Sequence, residues 1–526
     1  MHRHTISRRP LLALSLGAIA TPLILVAPGS AVAAPNNNSS EKLQAAVTTD
    51  GVLRHLRAFQ AISDANGGNR AAGTPGYDAS VTYVVDQMRA AGYDVSTQEF
   101  SFPFFEELSQ AQFSRVSPEP RTFAATDFRT MTFAKAVDVT AAVTPVDVTI
   151  PPGAVGSSTS GCETSDFAGF PRGNIALVQR GTCAFALKAQ NAAAAGASAV
   201  IVFNEGQPGR TGVVAGTLGS PIGVPVIGTS FEIGRQFAAT PSTARIKIDS
   251  ISENRTTRNV IANSRTGRTD NVVAVGAHLD SVTEGPGIND NGSGSAAILE
   301  TALQMAKVKP GNQVRFAWWS AEELGLIGSN FYVQSLAPAE KAKISLYLNF
   351  DMVGSPNFMR GVYDGDGSSF GLKGPAGSAQ IEGVFNKHFA DKGLAFQGTE
   401  FSGRSDYQAF INNGIPAGGL FTGAEGLKTA AEAAAYGGVA GAAYDPCYHQ
   451  ACDNLTAVGS NAALYSRLPD RVGNVSTVAL DTNSDAIAHS VITYAYDTSA
   501  VNGVRNPGKS HGQAKGTPGR TYDSAK

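Results

Sequence analysis

The sequence is poor in cysteine and in net charge, and it lacks two common zinc motifs. Its four cysteines nowhere stand in C-x-x-C spacing, which argues against cysteine as a zinc ligand. No H-E-x-x-H is present, which excludes the zinc helix built on that motif. The 41 basic and 43 acidic residues nearly cancel, so there is no electrostatic case for nucleic-acid binding.

Long apolar runs are also missing beyond the N-terminus, and no later stretch is long enough to span a bilayer. The apolar run over residues 11–26 follows two arginines and is interrupted by Pro22, and small residues at 31–33 suit signal cleavage. We therefore expect a signal peptide over 1–34 and a secreted, extracellular protein, exported by the general or the twin-arginine route. The mature chain of about 490 residues suits two domains.

Metal-ligand side chains stand where apolar runs stop. His278 follows Val-Val-Ala-Val-Gly-Ala, Glu323 follows Phe-Ala-Trp-Trp-Ser-Ala-Glu, and Asp351 follows Leu-Tyr-Leu-Asn-Phe. Apolar runs of this length predict buried parallel strands. Open α/β sheets bind ligands at the carboxyl ends of their strands, so we expect the three side chains to lie together at that edge.

Two further side chains complete a predicted dinuclear site. Asp290 lies in Gly-Ile-Asn-Asp-Asn-Gly-Ser-Gly before a helical stretch over 295–307, and His449 lies in Cys-Tyr-His-Gln-Ala-Cys. Two zinc ions about 3.5 to 4 Å apart need one bridging carboxylate and two further ligands each. We assign Asp290 as the bridge, His278 and Asp351 to one ion, and Glu323 and His449 to the other.

Glu322 stands beside a ligand, on a turn that can aim it elsewhere, so we predict that it is the general base on a water acidified by the ions. Taken singly, these residues have ordinary interpretations: Asp290 as a turn or helix N-cap, and Glu322 with Glu323 as a solvated pair at a helix start. Together they favour a metal site, because two like charges after a Trp-Trp strand are unfavourable without a cation.

Several longer segments resemble peptidase family M28, the zinc aminopeptidases of the secreted Streptomyces type. They are Gly-Ala-His-Leu-Asp-Ser at 276–281, Phe-Ala-Trp-Trp-Ser-Ala-Glu-Glu-Leu-Gly-Leu-Ile-Gly-Ser at 316–329, Tyr-Leu-Asn-Phe-Asp-Met-Val-Gly-Ser at 347–355, Gly-Arg-Ser-Asp at 403–406, Gly-Leu-Phe-Thr-Gly-Ala at 419–424 and Cys-Tyr-His-Gln-Ala-Cys-Asp at 447–453. The resemblance covers about 54–103 and 259–496. It implies an α/β fold with a mixed, largely parallel central sheet flanked by helices.

The resemblance implies the same roles for the five ligands and for the base, and it adds three residues. Tyr448 would donate its phenol to the oxyanion of the tetrahedral intermediate. Arg404 would help to fix the N-terminal end of the substrate, together with Glu322 and Asp351. Phe421 would line a pocket for a large apolar first side chain such as leucine.

Alternatives remain for two of these residues. Arg404 in Gly-Arg-Ser-Asp would pair with Asp406 instead, and Phe421 between glycines would be a core residue. The resemblance also implies that the Asp290–Asn291 peptide bond is cis.

The four cysteines allow three pairings in an oxidising compartment. We expect the local ones, Cys447 with Cys452 and Cys162 with Cys183. The first bridge would fix the loop that carries the oxyanion donor and a metal ligand, and the second would staple a different region.

Residues 123–252 lack the peptidase motifs and resemble the protease-associated (PA) domain. Gly-Asn-Ile-Ala-Leu-Val-Gln at 173–179, an alanine-rich stretch at 188–197 and Ala-Val-Ile-Val-Phe-Asn at 199–204 predict a strand, a helix and a strand. This β-rich α/β insert shapes access to the site or binds substrate, or it is a rigid structural element. The expected division is 35–122 for the N-terminal part of the peptidase domain, 123–252 for the insert, 253–500 for the main peptidase domain and 501–526 for a disordered tail.

Asp481 and Asp485 resemble calcium ligands found in the family. The partner aspartate of the family falls at about Ala46 here, which weakens the case for Ca²⁺. The alternative is a capped helix start before Ala486.

We therefore predict a secreted, monomeric, two-zinc aminopeptidase that acts on the N-termini of peptides and proteins, with no nucleic-acid partner and no membrane anchor. Three other functions are weighed against it. Glutaminyl cyclisation would need one metal, and a non-catalytic peptide-binding homologue would have lost a ligand or the base. A carboxypeptidase would need a cationic site for the substrate carboxylate, for which Arg404 is a candidate.

Overall fold

The computed structural model of the chain describes residues 36–456 and 461–505. The predicted signal peptide and residues 506–526 of the predicted tail lie outside this part of the chain. Within it, no helix combines the length and the apolar character needed to cross a membrane. A last short helix, Ser499–Asn502, extends two residues into the predicted tail, so regular structure continues slightly past the expected boundary.

The described strands form one large sheet and one separate hairpin, the latter made by the last two strands. In chain order they are β1 (Asp94–Ser117), β2 (Arg121–Thr122), β3 (Phe128–Thr130), β4 (Val137–Pro145), β5 (Ile175–Gln179), β6 (Ala199–Phe203), β7 (Val226–Thr229), β8 (Ser242–Asn263), β9 (Arg268–His278), β10 (Asn312–Trp319), β11 (Ile344–Phe350), β12 (Gly361–Tyr363), β13 (Gln397–Thr399), β14 (Ala417–Phe421), β15 (Arg471–Val472) and β16 (Val475–Ser476).

Several of the helices begin at a side chain that accepts a backbone N–H of the first turn, as Thr48, Thr74 and Ser476 do. In chain order the α-helices are α1 (Ser40–Ala46), α2 (Thr49–Ala65), α3 (Pro75–Ala90), α4 (Phe185–Ala195), α5 (Phe231–Ala239), α6 (Gly294–Gln304), α7 (Ile327–Ser335), α8 (Pro338–Lys341), α9 (Ser378–Asp391), α10 (Tyr407–Ile411), α11 (Ala430–Tyr436), α12 (Ala462–Tyr465), α13 (Thr477–Tyr496) and α14 (Ser499–Asn502).

The half of the sheet that carries the predicted ligands is mixed and largely parallel. Its order is β13, β12, β14, β11, β9, β10 and β8. The four central strands β14, β11, β9 and β10 run parallel, whereas β12 is antiparallel to β14 and β8 is antiparallel to β10. The predicted fold class is confirmed.

Helices cover both faces of this half-sheet. Alternate residues of β9 belong to different cores: Val273 and Val275 pack with α2, α6 and α13, and Ala274 packs with α7 and α10. Because side chains of a strand alternate between faces, this division shows a sheet buried on both sides. Such burial explains why the strand sequences are continuous apolar runs.

The long strands β1 and β8 join the two halves of the sheet. They pair antiparallel from Asp94 with Asn263 to Ser117 with Thr243, with register shifts between Glu107 and Gln112. The insert is therefore attached through a continuous ribbon, which crosses the sequence boundary expected at 252.

The insert has its own hydrophobic core. Strands β4, β5, β6 and β7 are parallel, with β3 antiparallel at the edge, and α4 and α5 pack on them. The predicted strand, helix and strand are β5, α4 and β6. Ala111 and Phe113 of β1 also contribute to this core although they precede residue 123, because the ribbon carries its buried face into the insert.

A close approach between α6 and β11 places the ligands. A Cβ at Gly294, the first residue of α6, would meet the carbonyl of Phe350, the last residue of β11. Only glycine lets the helix start come so near the strand end. The turn just before the helix carries Asp290, and the residue just after the strand is Asp351.

The two cores give a stability prediction. Leu177 is fully buried in the insert, so Leu177→Ala is expected to lower the free energy of unfolding by about 2–5 kcal/mol through lost burial and a cavity. Leu187→Ala, at a leucine that is 40% exposed on α4, should change it by about 0.5 kcal/mol or less. Urea unfolding followed by far-UV circular dichroism measures both, and equal effects would contradict the assignment of the core.

Candidate metal centre

The five predicted ligands lie together, and three stand where the sequence analysis places them. His278 is the last residue of β9, Asp351 directly follows β11, and Glu323 lies in the turn after β10. The carboxyl ends of these parallel neighbours share one edge of the sheet, which brings the three side chains together. Asp290 and His449 reach the same place from loops.

Asp290 lies between the two histidines. Its Oδ1 is 3.2 Å from His278 Nε2, and its Oδ2 is 3.3 Å from His449 Nε2. On one side, Asp351 Oδ1 is 3.3 Å from His278 Nε2. On the other, Glu323 Oε2 is 2.9 Å from His449 Nε2. One carboxylate thus has one oxygen toward each half of the site. The half around His449 also holds Glu323, and the half around His278 holds Asp351 and, at 3.9 Å, Glu322.

The site concentrates negative charge in a buried place. Burial opposes a charge on His278, but the Asp351 and Glu322 carboxylates outweigh it and raise the imidazole pKa well above its usual value. Burial and the neighbouring Asp290 raise the pKa of Glu323 to about 7, and burial raises that of Glu322 well above its usual range. Carboxyl groups in such surroundings need cations to remain ionised.

The donor atoms fit divalent metal. Ligand atoms of His278, Asp290 and Glu323 lie within 4.8 Å of one another, and so do those of His278, Glu322 and Asp351. Oε1 of Glu323 is buried and has no hydrogen-bond partner among the described residues. Imidazole with carboxylate is a zinc-type set of donors, and a cation would satisfy that oxygen.

Asp280 orients both His278 and the turn that carries Glu322 and Glu323. Its backbone carbonyl lies 3.1 Å from His278 Nδ1, which must therefore carry the proton and leave Nε2 as the ligand atom. Its carboxylate accepts the backbone N–H groups of Glu322 at 3.3 Å and Glu323 at 3.4 Å. The histidine ligand and the Glu-Glu turn are thus held by one residue.

Asp453 supports the predicted bridge, a role that the sequence analysis missed. Its two carboxylate oxygens accept the N–H groups of Asn289 at 2.8 Å and Asp290 at 2.9 Å. Asn474 donates to Asp453 at 2.8 Å and also to Asp445, so the acids are joined by an amide. The sequence did contain a sign of this role, because Asp453 directly follows Cys452 in one of the segments that resemble family M28.

Arg70 is a second residue that was missed. It is fully buried, and its guanidinium donates to the carbonyls of Leu279, Pro286 and Gly287. These carbonyls belong to the segment between the ligands His278 and Asp290. Arg70 therefore fixes the path of the chain between these two candidate ligands. The only sign of this role in the sequence was that Arg70 lies in the N-terminal segment that resembles the family, at about 54–103.

The Asp290–Asn291 peptide bond is cis, as the resemblance implies. Both predicted disulfides are present, Cys447–Cys452 and Cys162–Cys183. The first spans the loop that carries Tyr448 and His449, whose rings stack with centroids 3.8 Å apart.

Arg404 does not pair with Asp406. Its guanidinium donates to both carboxylate oxygens of Glu425, at 2.8 and 3.3 Å, and to the Tyr448 hydroxyl at 3.2 Å. The hydroxyl accepts from Arg404 and therefore keeps its own proton free to donate. Glu425 was not predicted, and it is 21 residues away in sequence.

A cavity of about 460 Å³ opens beside the carboxylates. Half-buried Phe421, at the end of β14, packs against the core and also lines this cavity. The polar and apolar residues around it include Met352, Tyr363, Phe370, Thr399, Glu400, Ser402, Arg404, Tyr407 and Tyr448. This volume is large enough for a peptide side chain, whether short or long.

Asp481 and Asp485 both lie on α13 and have protein partners. Thr49 Oγ1 donates to Asp481 at 2.5 Å, and Lys392 Nζ donates to Asp485 at 2.5 Å. Neither belongs to a cluster of three ligand side chains among the described residues. The structure thus adds no support for calcium, and Ser476 rather than either aspartate caps the helix.

The two disulfides allow a matched comparison. Replacing Cys447 and Cys452 by serine frees the loop that holds His449, so kcat/KM is expected to fall about tenfold or more. Replacing Cys162 and Cys183 by serine, far from the site in the insert, should leave kcat/KM within about twofold. Both proteins should be assayed at a temperature where circular dichroism shows them folded. Equal activities of the two variants would contradict the role of the first bridge.

The sequence matches the model of peptidase family M28 over residues 259–467 and that of the PA domain over residues 140–237. An aminopeptidase of Pseudomonas aeruginosa is 53% identical over 416 residues, which cover 78% of this chain and 77% of that protein. Leucine aminopeptidase 2 of Trichophyton rubrum is 39% identical over 467 residues, 87% of this chain and 86% of that protein.

Among solved structures, the aminopeptidase from Aneurinibacillus sp. strain AM-1 is similar with a TM-score of 0.55 and 26% identity, over 86% of this chain and 95% of that one. The comparisons confirm the resemblance that the motifs carry, the PA insert and the predicted enzyme class, a metallo-aminopeptidase. The chain belongs to peptidase family M28.

Proposed function

We propose that this protein is a secreted, two-zinc aminopeptidase that removes N-terminal residues from peptides, with a preference for large apolar side chains such as leucine. The observation that carries the proposal is the Asp290 carboxylate between two histidines, with Asp351 on one side and Glu323 on the other. The names of the relatives, which are aminopeptidases and leucine aminopeptidases, support the same function.

Zinc ions held by these five ligands would lower the pKa of a water at the site and polarise the substrate carbonyl. Glu322 is buried beside these ligands. Its Oε2 lies 3.9 Å from His278 Nε2, and its backbone N–H donates to the Asp280 carboxylate. Its carboxylate takes the proton of the attacking water and delivers it to the leaving amine. The raised pKa of Glu322, caused first by burial, suits a group that must both accept and release a proton.

Tyr448 donates a hydrogen bond from its hydroxyl to the oxyanion that forms at the attacked carbonyl. Arg404 donates to the phenol oxygen, so the hydroxyl hydrogen of Tyr448 stays free for the oxyanion. Burial, together with Asp290 and Glu323, raises the tyrosine pKa, which keeps the phenol protonated through the working pH range. Arg404 acts here through Tyr448, as a positioning residue.

The substrate's free α-ammonium is matched by carboxylates. Asp351 and Glu322 line the cavity beside Phe421, so an amine bound there meets negative charge while the first side chain meets an aromatic wall. An internal peptide bond would place an uncharged amide in the same place, with no charge to match the carboxylates. Selection for the chain end follows from this electrostatic difference.

Carboxypeptidase activity is disfavoured by the partners of Arg404. It is the only cationic side chain that lines the cavity among the described residues, and Glu425 holds it by two N–H···O bonds. No free cation is left there for a substrate carboxylate. A non-catalytic role is disfavoured because the side chains of the five predicted ligands lie together with Glu322 beside them.

Hydrolysis of leucyl-p-nitroanilide by the purified protein is expected, and hydrolysis of its N-acetylated counterpart is not, because acetylation removes the ammonium. Chelation should abolish the activity and added zinc should restore it. Cleavage of the acetylated substrate at a similar rate would contradict recognition of the free amine. Absence of cleavage by protein carrying two zinc ions would contradict the function itself.

Glu322→Gln is expected to retain both zinc ions and to lower kcat by about 100-fold or more, because the amide cannot accept the proton. Glu323→Gln, the matched change at the adjacent residue, should instead lose zinc, because it removes a ligand. Atomic emission after dialysis measures zinc, and leucyl-p-nitroanilide turnover measures kcat. Loss of zinc from the Glu322 variant would show that this residue is a ligand and not the base.

A further inference from the structure

The wall of the active-site cavity carries one carboxylate that neither the metal centre nor any ion pair uses. Glu400 directly follows β13 and lines the cavity with Thr399 and Ser402. Its side chain makes no hydrogen bond or salt bridge with another described residue, and the residue is exposed. It is therefore available to a ligand.

The other charged residues around the cavity already have a role or a partner. Asp290, Glu322, Glu323 and Asp351 belong to the proposed metal centre and to the site of the α-ammonium, and Arg404 is paired with Glu425. Among the described residues of the cavity wall, Glu400 is consequently the carboxylate left without a role or a partner. An unpaired carboxylate at the wall attracts a cationic side chain and repels an anionic one.

The lining of the cavity suits a long side chain with a charged end. Its apolar and aromatic residues include Met352, Tyr363, Phe370, Tyr407 and Phe421. Lysine and arginine pack their methylene stems on such surfaces while their charged ends reach a polar group. Phe370 is 50% exposed and lines the same cavity as Glu400, so its ring can add attraction for a cation.

We propose that Glu400 is a specificity residue that accepts the ammonium or guanidinium group of an N-terminal lysine or arginine side chain. This inference rests on the proposed aminopeptidase function and extends its substrates from large apolar to long basic first residues. The stem occupies the space that leucine uses, and the cation meets Glu400. Peptides that begin with glutamate or aspartate are repelled by the same carboxylate.

The test compares kcat/KM for leucyl-, lysyl-, arginyl- and glutamyl-p-nitroanilide. Glu400→Gln is expected to lower the lysyl-to-leucyl and arginyl-to-leucyl ratios by about three- to fivefold, the size of a partly exposed ion pair. Glu400→Lys should lower them further and raise the glutamyl-to-leucyl ratio. Glu99→Gln removes the same charge at an exposed site on β1, outside the cavity, and should change none of the ratios.

The salt dependence gives a second measurement of the charge effect. The wild-type lysyl-to-leucyl ratio should fall as the salt concentration rises, because salt screens the attraction, and the ratio of the Glu400→Gln protein should depend less on salt. Equal lysyl-to-leucyl ratios in Glu400→Gln and Glu99→Gln would overturn the role of Glu400, even if leucyl-p-nitroanilide is cleaved well. Failure of the zinc-loaded wild type to cleave any of the four substrates would instead overturn the proposed function, and this inference with it.

Discussion

The candidate metal centre depends on one constraint, the position of the Asp290 carboxylate between two halves of the cluster. Its two oxygens face His278 and His449, which arrive from a strand end and from a late loop. Neighbouring residues hold that carboxylate in place, and a carboxylate shared by two cations would need to be fixed in both position and orientation. Asp453 holds its backbone N–H, and Arg70 holds the chain that leads to it.

These supports are themselves buried charged groups, and each is compensated by hydrogen bonds. Arg70 meets three carbonyls, and Asp280 meets the N–H groups of Glu322 and Glu323. Buried charges are tolerated only when they are paired or hydrogen-bonded, and leaving one partner out is costly. The predicted ligands, the predicted base and the residues that support them are thus joined through shared hydrogen-bond partners.

The insert is joined to the catalytic half by strands and not by a flexible linker. The β1–β8 ribbon gives residues to both cores, so the two halves belong to one sheet. No residue of the insert lines the active-site cavity within the described part of the chain. Among the described residues, the cavity is therefore lined by the catalytic half, including residues of β13, β14 and the loops after them.

The sequence alone determined the layered α/β fold, the placement of the candidate ligand side chains at strand ends and the strand, helix and strand of the insert, because apolar runs and the residues that end them are local signals. Both disulfides also followed from short spacing. Tertiary structure decided the partners of Arg404, the supports at Arg70 and Asp453, and the free carboxylate of Glu400. These depend on which distant segments meet at the sheet edge. Arg404 illustrates the difference: the sequence offered Asp406 as an alternative partner, whereas the fold brings Glu425 to it.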